Sequence, residues 1–176
     1  MDNNWNTVNV LRYARHDWLN KIQLIKGNLS LNRLERAQDI IDEIVMEAQQ
    51  EARLSNLQLP HFAALLLVTN WNNYYFRLEY EVLGDIQSVK MDDTQLTNWT
   101  SSLFMTLNSC IEAFQENHLS ISILPHENGV QFFFDFTGTI VKPKEIEVFL
   151  KDSHECVKIK DISESELSFE LNWEIT

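Results

Sequence analysis

The chain has 176 residues, of which 44% are hydrophobic and 23% charged, a globular composition that excludes a disordered tail and suits one domain or two small ones. Fourteen Lys and Arg face 26 Asp and Glu, and the resulting charge of −12 is unevenly spread: residues 1–29 carry +2, residues 30–55 carry −3 and the remainder −11. Nucleic acid is excluded as a partner for most of the surface, whereas a small basic patch on an acidic protein suits a localised acidic or phosphorylated partner.

The first ten residues, MDNNWNTVNV, lack the basic and apolar regions of a secretory signal. Val8, Leu11, Arg15, Trp18, Ile22, Ile25 and Leu29 then recur at alternating steps of three and four, an a/d stripe with one polar member that predicts a helix. Gly27, Asn28, Ser30 and Asn32 weaken helix propensity and place a connection near residues 30–32. A second helix carries Leu34, Ala37, Ile41, Ile44, Ala48 and Glu51 on the same repeat, widened by Ile40 and Val45, and closes at Ser55, Asn56 and Pro60. Two such helices form an antiparallel hairpin whose stripes a second copy would complete into a four-helix bundle, so a homodimer is expected.

From His61 the pattern changes, and the expected boundary separates residues 1–56 from residues 57–176. HFAALLLVTNWNNYYF reads as a buried helix; its apolar run Phe62 to Val68 falls far short of the ~18 residues of a membrane span. RLEYEVLG alternates as a half-buried strand. Asp92 and Asp93 open a helix toward Gln115, with Asp92 as N-cap. Two strands flank a turn at His126–Gly129, KPKEIEVFLK is a short helix admitting Pro143 in its first turn, and the last twenty residues form a hairpin with Leu167, Phe169, Leu171 and Trp173 on one face. The fold class is therefore α+β, a helical hairpin followed by an α/β sandwich with helices on one face of a mixed sheet.

Most familiar chemistries lack support. The five histidines show no HxH or HExxH spacing, and Cys110 and Cys156 form no CxxC pair, so no metal site is expected and the thiols read as free, as in a cytoplasmic chain. No GxSxG occurs, and Cys110 reads as a small core residue. His61, His118, His126 and His154 read as turn or element-end residues. His16 lies mid-helix beside the apolar seam, with Arg12 and Asn20 one turn away on its own face. Spacing alone makes it an exposed surface histidine.

The run Arg15-His16-Asp17-Trp18-Leu19-Asn20-Lys21, continuing through Lys26-Gly27-Asn28-Leu29-Ser30-Leu31, changes that balance. It resembles the phospho-acceptor helix of the sporulation initiation phosphotransferase B family. The core RHDxxN is shared with sensor histidine kinases, while Leu54-Ser55-Asn56-Leu57 and Leu78-Glu79-Tyr80-Glu81-Val82-Leu83-Gly84 extend the similarity to the phosphotransferases. The resemblance implies a homodimeric four-helix bundle and a C-terminal domain like a degenerate histidine-kinase ATPase. It further implies phosphoryl transfer from the aspartyl phosphate of one response regulator to His16, and then to the aspartate of a second regulator, a transcription factor controlling sporulation. Asn20 becomes a group orienting His16, and Arg12, Arg15 and Lys21 become partner-binding residues, with Arg15 alternatively structural.

The same comparison shows which part of the kinase machinery is missing. Leu107-Asn108-Ser109-Cys110-Ile111-Glu112-Ala113 keeps the shell of the kinase asparagine box, with Ser109 where the Mg²⁺-binding asparagine belongs. Asp135-Phe136-Thr137-Gly138-Thr139 keeps the aspartate without the glycine spacing, and the four glycines stand far apart, although phosphate-cradling loops cluster them. No cofactor of its own is expected; Mg²⁺ would come from the regulator. Two alternatives remain beside the phosphotransferase reading: an autophosphorylating kinase, and a dimeric scaffold in which His16 is idle.

Overall fold

The computed structural model describes residues 5–84, 91–153 and 156–174. They fall into two units, Met1–Ala52 and Arg53–Thr176. The expected strand start at His154 lies outside the described residues.

Helix α1 spans Thr7–Ser30 and begins where the Asn6 side chain accepts the Asn9 N–H at 3.0 Å. It closes through Leu31 N–H to Gly27 C=O and Arg33 N–H to Asn28 C=O, and Asn32 takes a left-handed conformation (φ 57°) that asparagine tolerates. Helix α2 follows as Leu34–Asn56. The hairpin is as expected, but its internal seam is displaced from the predicted stripe. Within the described residues up to Ala52 only Ala37 and Ile40 are buried, and α1 buries nothing completely. The half-buried α1 positions are Asn9, Val10, Ala14, Asp17, Lys21, Ile25 and Asn28, a strip that shares only Ile25 with the a/d stripe. Polar pairing explains the offset: Lys21 donates to the Glu47 carboxylate across the hairpin. Val8, Leu11, Trp18, Ile22 and Leu29 are left at least half exposed.

In the second unit, Leu54 in the last turn of α2 and Leu57 just beyond it are fully buried in the core. Helix α3, Pro60–Thr69, starts with proline in its first turn. It is shorter than the predicted run to Phe76, for a tertiary reason. Asn70 turns its side chain onto strand β1, Arg77–Val82, accepting the Leu78 N–H and donating to the Leu78 C=O, both at 2.8 Å. The amide thereby occupies an edge of the sheet that would otherwise stand open. Helix α4, Asp93–Cys110, is capped as expected by Asp92, which accepts the Gln95 N–H at 2.9 Å. It ends five residues before Gln115 because Ile111 becomes extended and bridges Ile140.

Strands β2 (His118–His126) and β3 (Gly129–Thr137) flank the expected turn. A Cβ on Gly129 would lie 2.1 Å from the Trp173 carbonyl, so that turn accepts no side chain. Helix α5 (Pro143–Ser153) and strands β4 (Val157–Ile162) and β5 (Glu166–Glu174) complete the chain. The sheet order is β1-β2-β3-β5-β4, with β1 and β2 parallel and the other pairs antiparallel. Strict alternation buries Leu119, Ile121 and Ile123 on β2, Phe132, Phe134 and Phe136 on β3, and Leu167, Phe169, Leu171 and Trp173 on β5. Phe134 and Phe169 stack at 4.6 Å, and Trp99 of α4 meets both edge-to-face. Among the described residues the fold is α+β, five helices and one mixed sheet, as the sequence pattern implied.

Candidate functional site

His16 stands midway along α1, on the side opposite the half-buried strip, with 71% of its side chain exposed. Helical spacing stacks Arg12, His16, Asn20 and Gln23 on one exposed face. The described hydrogen bonds of the imidazole all go to Nδ1: Asn20 Nδ2 lies 3.2 Å away and Asp17 Oδ1 3.5 Å away. A carboxylate can only accept, so the Asp17 contact calls for a proton on Nδ1, whereas the closer Asn20 Nδ2, a donor, calls for a bare Nδ1. Asn20 suits the Nδ1-protonated tautomer through its amide oxygen and the other through its nitrogen, the two ends being interchangeable by rotation of the amide. With the proton on Nδ1, the lone pair sits on Nε2 and faces solvent. An exposed imidazole in that tautomer can act as a nucleophile toward a group brought by another protein.

The remaining expected site residues separate into two groups. Arg12 and Arg15 are exposed on α1. Lys21 is one-third exposed and bound to Glu47, which ties it into the hairpin. Asp17 was not singled out by spacing, because neighbouring residues on a helix diverge by about 100°. The only sequence signal for it was its position directly after the histidine.

Elsewhere, His61, His126 and Cys110 are engaged in structural contacts. His61 bonds through Nδ1 to Asp93 Oδ2 at 2.8 Å, and His126 Nδ1 accepts the Asn128 N–H in the β2–β3 turn. Cys110 is fully buried, and burial pushes its thiol pKa up. Among the described residues no cluster of His, Cys, Asp and Glu could hold a metal ion. In the segment resembling the kinase asparagine box, Ser109 gives its hydroxyl to the Thr106 C=O at 2.8 Å. Asn108 accepts the Tyr75 N–H at 2.6 Å, while Asn117 donates to the Tyr75 C=O at 2.8 Å. These side chains fasten the segment leading into β1, at the rim of an 860 Å³ cleft lined by Tyr74, Tyr75, Phe76 and Phe114.

Residues 1–57 match the family model described as the sensor kinase SpoOB-type alpha-helical domain, and residues 58–174 match the C-terminal domain of sporulation initiation phospho-transferase B. The chain belongs to the sporulation initiation phosphotransferase B family. The Bacillus subtilis (strain 168) member is 38% identical over 154 residues, which cover 86% of this chain and 80% of that protein. Solved structures similar to this family member include the catalytic domain of histidine kinase ThkA, with 13% identity, TM-score 0.41, and coverage of 68% of this chain and 92% of that one. Acinetobacter baumannii histidine kinase AdeS gives 12% identity, TM-score 0.41, and coverage of 92% and 98%. A bacterial phosphotransferase gives 12%, TM-score 0.39, and coverage of 94% and 97%. No helix among the described residues of this phosphotransferase B relative is long and apolar enough to cross a membrane.

Proposed function

We propose that the protein is a histidine phosphotransferase of a sporulation-type phosphorelay, in which His16 accepts phosphoryl from one response regulator and passes it to a second. Membership in the phosphotransferase B family supports the reaction class. The observation that carries the residue assignment is the exposed imidazole whose neighbours converge on Nδ1 and leave Nε2 to the solvent. In the forward step the Nε2 lone pair forms a bond to the phosphorus of an aspartyl phosphate as the bond to the carboxylate oxygen breaks. The carboxylate leaves, and the Nδ1 proton stays with the ring beside Asp17. Onward transfer reverses these events with the second regulator's aspartate as acceptor. Both are positioning problems more than covalent ones, because the donor already holds an activated phosphoryl group.

Arg12 and Arg15 would seat the acidic pocket of the regulator, with Lys21 holding the hairpin through Glu47. The one carboxylate beside His16, Asp17, is turned to the imidazole, so the divalent ion belongs to the regulator's own acidic pocket. A homodimer completes the bundle: Val8, Leu11, Trp18, Ile22 and Leu29 on α1, and Leu34, Ile41, Val45 and Met46 on α2, are 45% to 67% exposed in a single chain. Apolar exposure on that scale marks an interface, and its heptad spacing suits a second copy. The C-terminal unit would be an ATPase-like fold without nucleotide, since Ser109 is spent on Thr106. A cytoplasmic location follows from the partners.

Replacing His16 with Gln tests the assignment. The variant should neither accept phosphoryl from a phosphorylated regulator nor deliver it to the second, because one nitrogen serves both half-reactions. Its stability should stay within about 0.5 kcal/mol, as for an exposed site away from caps and core. An acid-labile, base-stable adduct on any other histidine, or transfer by the Gln variant, would disprove the assignment.

A further inference from the structure

Phe114 breaks two rules at once. Its backbone is left-handed (φ 62°), the conformation that glycine or asparagine takes in such a turn, and a bulky side chain is strained there. Its ring is 92% exposed, so burial in the core does not offset that strain. Strain of this kind collects at binding sites. The ring lines the cleft between residues 73–77 and 114–118, where it meets Tyr75 edge-to-face at 5.5 Å and 65°. Tyr75 is itself 42% exposed, and its backbone is held at both polar groups: Asn108 accepts its N–H and Asn117 donates to its C=O. Tyr74 and Phe76, stacked at 5.1 Å, line the same cleft. Two exposed rings are thus fixed at an angle on a fastened frame, with nothing in the fold that requires them there.

Charge selects what they would bind. Glu112 and Glu116 flank Phe114 two residues away on either side, both exposed. Among the described residues neither carboxylate has a hydrogen bond or ion pair. The cation on the cleft wall, Arg77, has its Nε 3.9 Å from Glu79 instead. Aromatic faces beside unpaired carboxylates are complementary to a cation. A guanidinium fits best, because its plane stacks on a ring while its edge donates to a carboxylate. The cleft, at 860 Å³, is several times larger than one guanidinium, so the residues flanking an arginine are accommodated too. We infer that the Tyr75–Phe114 cleft is a docking site for an arginine on a basic segment of a partner protein. The guanidinium lies against the two rings and donates to Glu116, and the −11 charge of residues 56–176 favours the approach of such a segment.

Amide NMR spectra of the full chain, titrated with a blocked glycine–serine peptide bearing one central arginine, provide the test. Saturable shifts should appear at residues 73–77 and 112–118, with half-saturation at about 1–10 mM, as for a single anchored side chain. The lysine peptide should bind at least about threefold more weakly, and the citrulline peptide, equal in shape but uncharged, should not saturate. Glu116→Gln should weaken binding of the arginine peptide about threefold. Phe114→Gly should abolish it while melting at or above the temperature of the unaltered chain, because glycine takes φ 62° freely. A melting temperature lowered by more than about 4 °C in that variant would make the ring part of the fold and refute the site. So would the absence of saturation below about 30 mM, an equal response to citrulline, shifts confined to other parts of the chain, or full affinity in Glu116→Gln.

Discussion

Removing the Asp93 carboxylate should loosen the second unit by an amount that its contacts define. Helix α3 starts at Pro60, and its N-cap residue, Leu59, has no side-chain oxygen to offer. The first turn is capped instead from α4: Asp93 Oδ2 accepts the His61 N–H at 2.8 Å, and Oδ1 accepts the Phe62 N–H at 2.9 Å. Its side chain is only 15% exposed. Loss of a helix cap costs about 1 kcal/mol. An anion at a helix N-terminus adds about 0.3–1 kcal/mol. The exposed His61 ring contributes a few tenths at most. Asp93→Ala should therefore destabilise the protein by about 2 kcal/mol and lower its melting temperature by roughly 4–8 °C. Asp93→Asn, which keeps one acceptor and loses the charge, should destabilise it by about 1 kcal/mol.

The same contacts set a pH signature. Burial raises the Asp93 pKa, but the N–H groups of His61 and Phe62 and the His61 ring together outweigh burial and hold it below the usual carboxylate range. A carboxyl with a depressed folded pKa stabilises the fold fully above its unfolded value of about 4, and this stabilisation disappears as the pH falls through the lower folded value. Urea unfolding followed by the fluorescence of buried Trp99, from pH 7 down to pH 3, reads both effects. Amide exchange at His61 and Phe62 should accelerate in Asp93→Ala. A midpoint within 0.5 kcal/mol of the unaltered protein, or an acid-side slope unchanged in Asp93→Asn, would refute the cross-helix cap.

Three further outcomes are expected. Ile41, 45% exposed in one chain, should tolerate Asp in an isolated hairpin but not at a dimer interface, so Ile41→Asp should yield a folded monomer by sedimentation; an unaltered chain that sediments as a monomer refutes the homodimer. Thr100 is fully buried and its hydroxyl has no hydrogen-bond partner, so Thr100→Val should stabilise the protein by about 1 kcal/mol in thermal unfolding, and a loss of stability would show that the hydroxyl is satisfied after all. Calorimetric titration with Mg·ATP should give no saturable heat, whereas binding tighter than about 100 μM, roughly −5.5 kcal/mol, would restore the kinase reading.

Local pattern sufficed for most of this molecule. The period-two alternation of Leu119, Ile121 and Ile123, and of Leu167, Phe169, Leu171 and Trp173, identified the strands and their buried faces because pleating alone forces it. The 3.6-residue repeat located both hairpin helices and put His16 on a solvent face beside Arg12 and Asn20, since residues three and four apart on a helix share a side. Which apolar stripe closes the hairpin was not legible. Apart from Ile25, the a/d residues of α1 remain exposed, and a neighbouring strip containing Lys21 meets α2, a choice that depends on Glu47, 26 residues away. The stop of α3 before Asn70, the end of α4 at Ile111 and the cap provided by Asp93 are likewise long-range facts. Their partners, Leu78, Ile140 and His61, lie 8 to 32 residues away. Propensity and periodicity describe a residue's neighbours along the chain; the hydrogen bonds that end a helix, or cap one from another element, depend on where a side chain lands once the chain has folded.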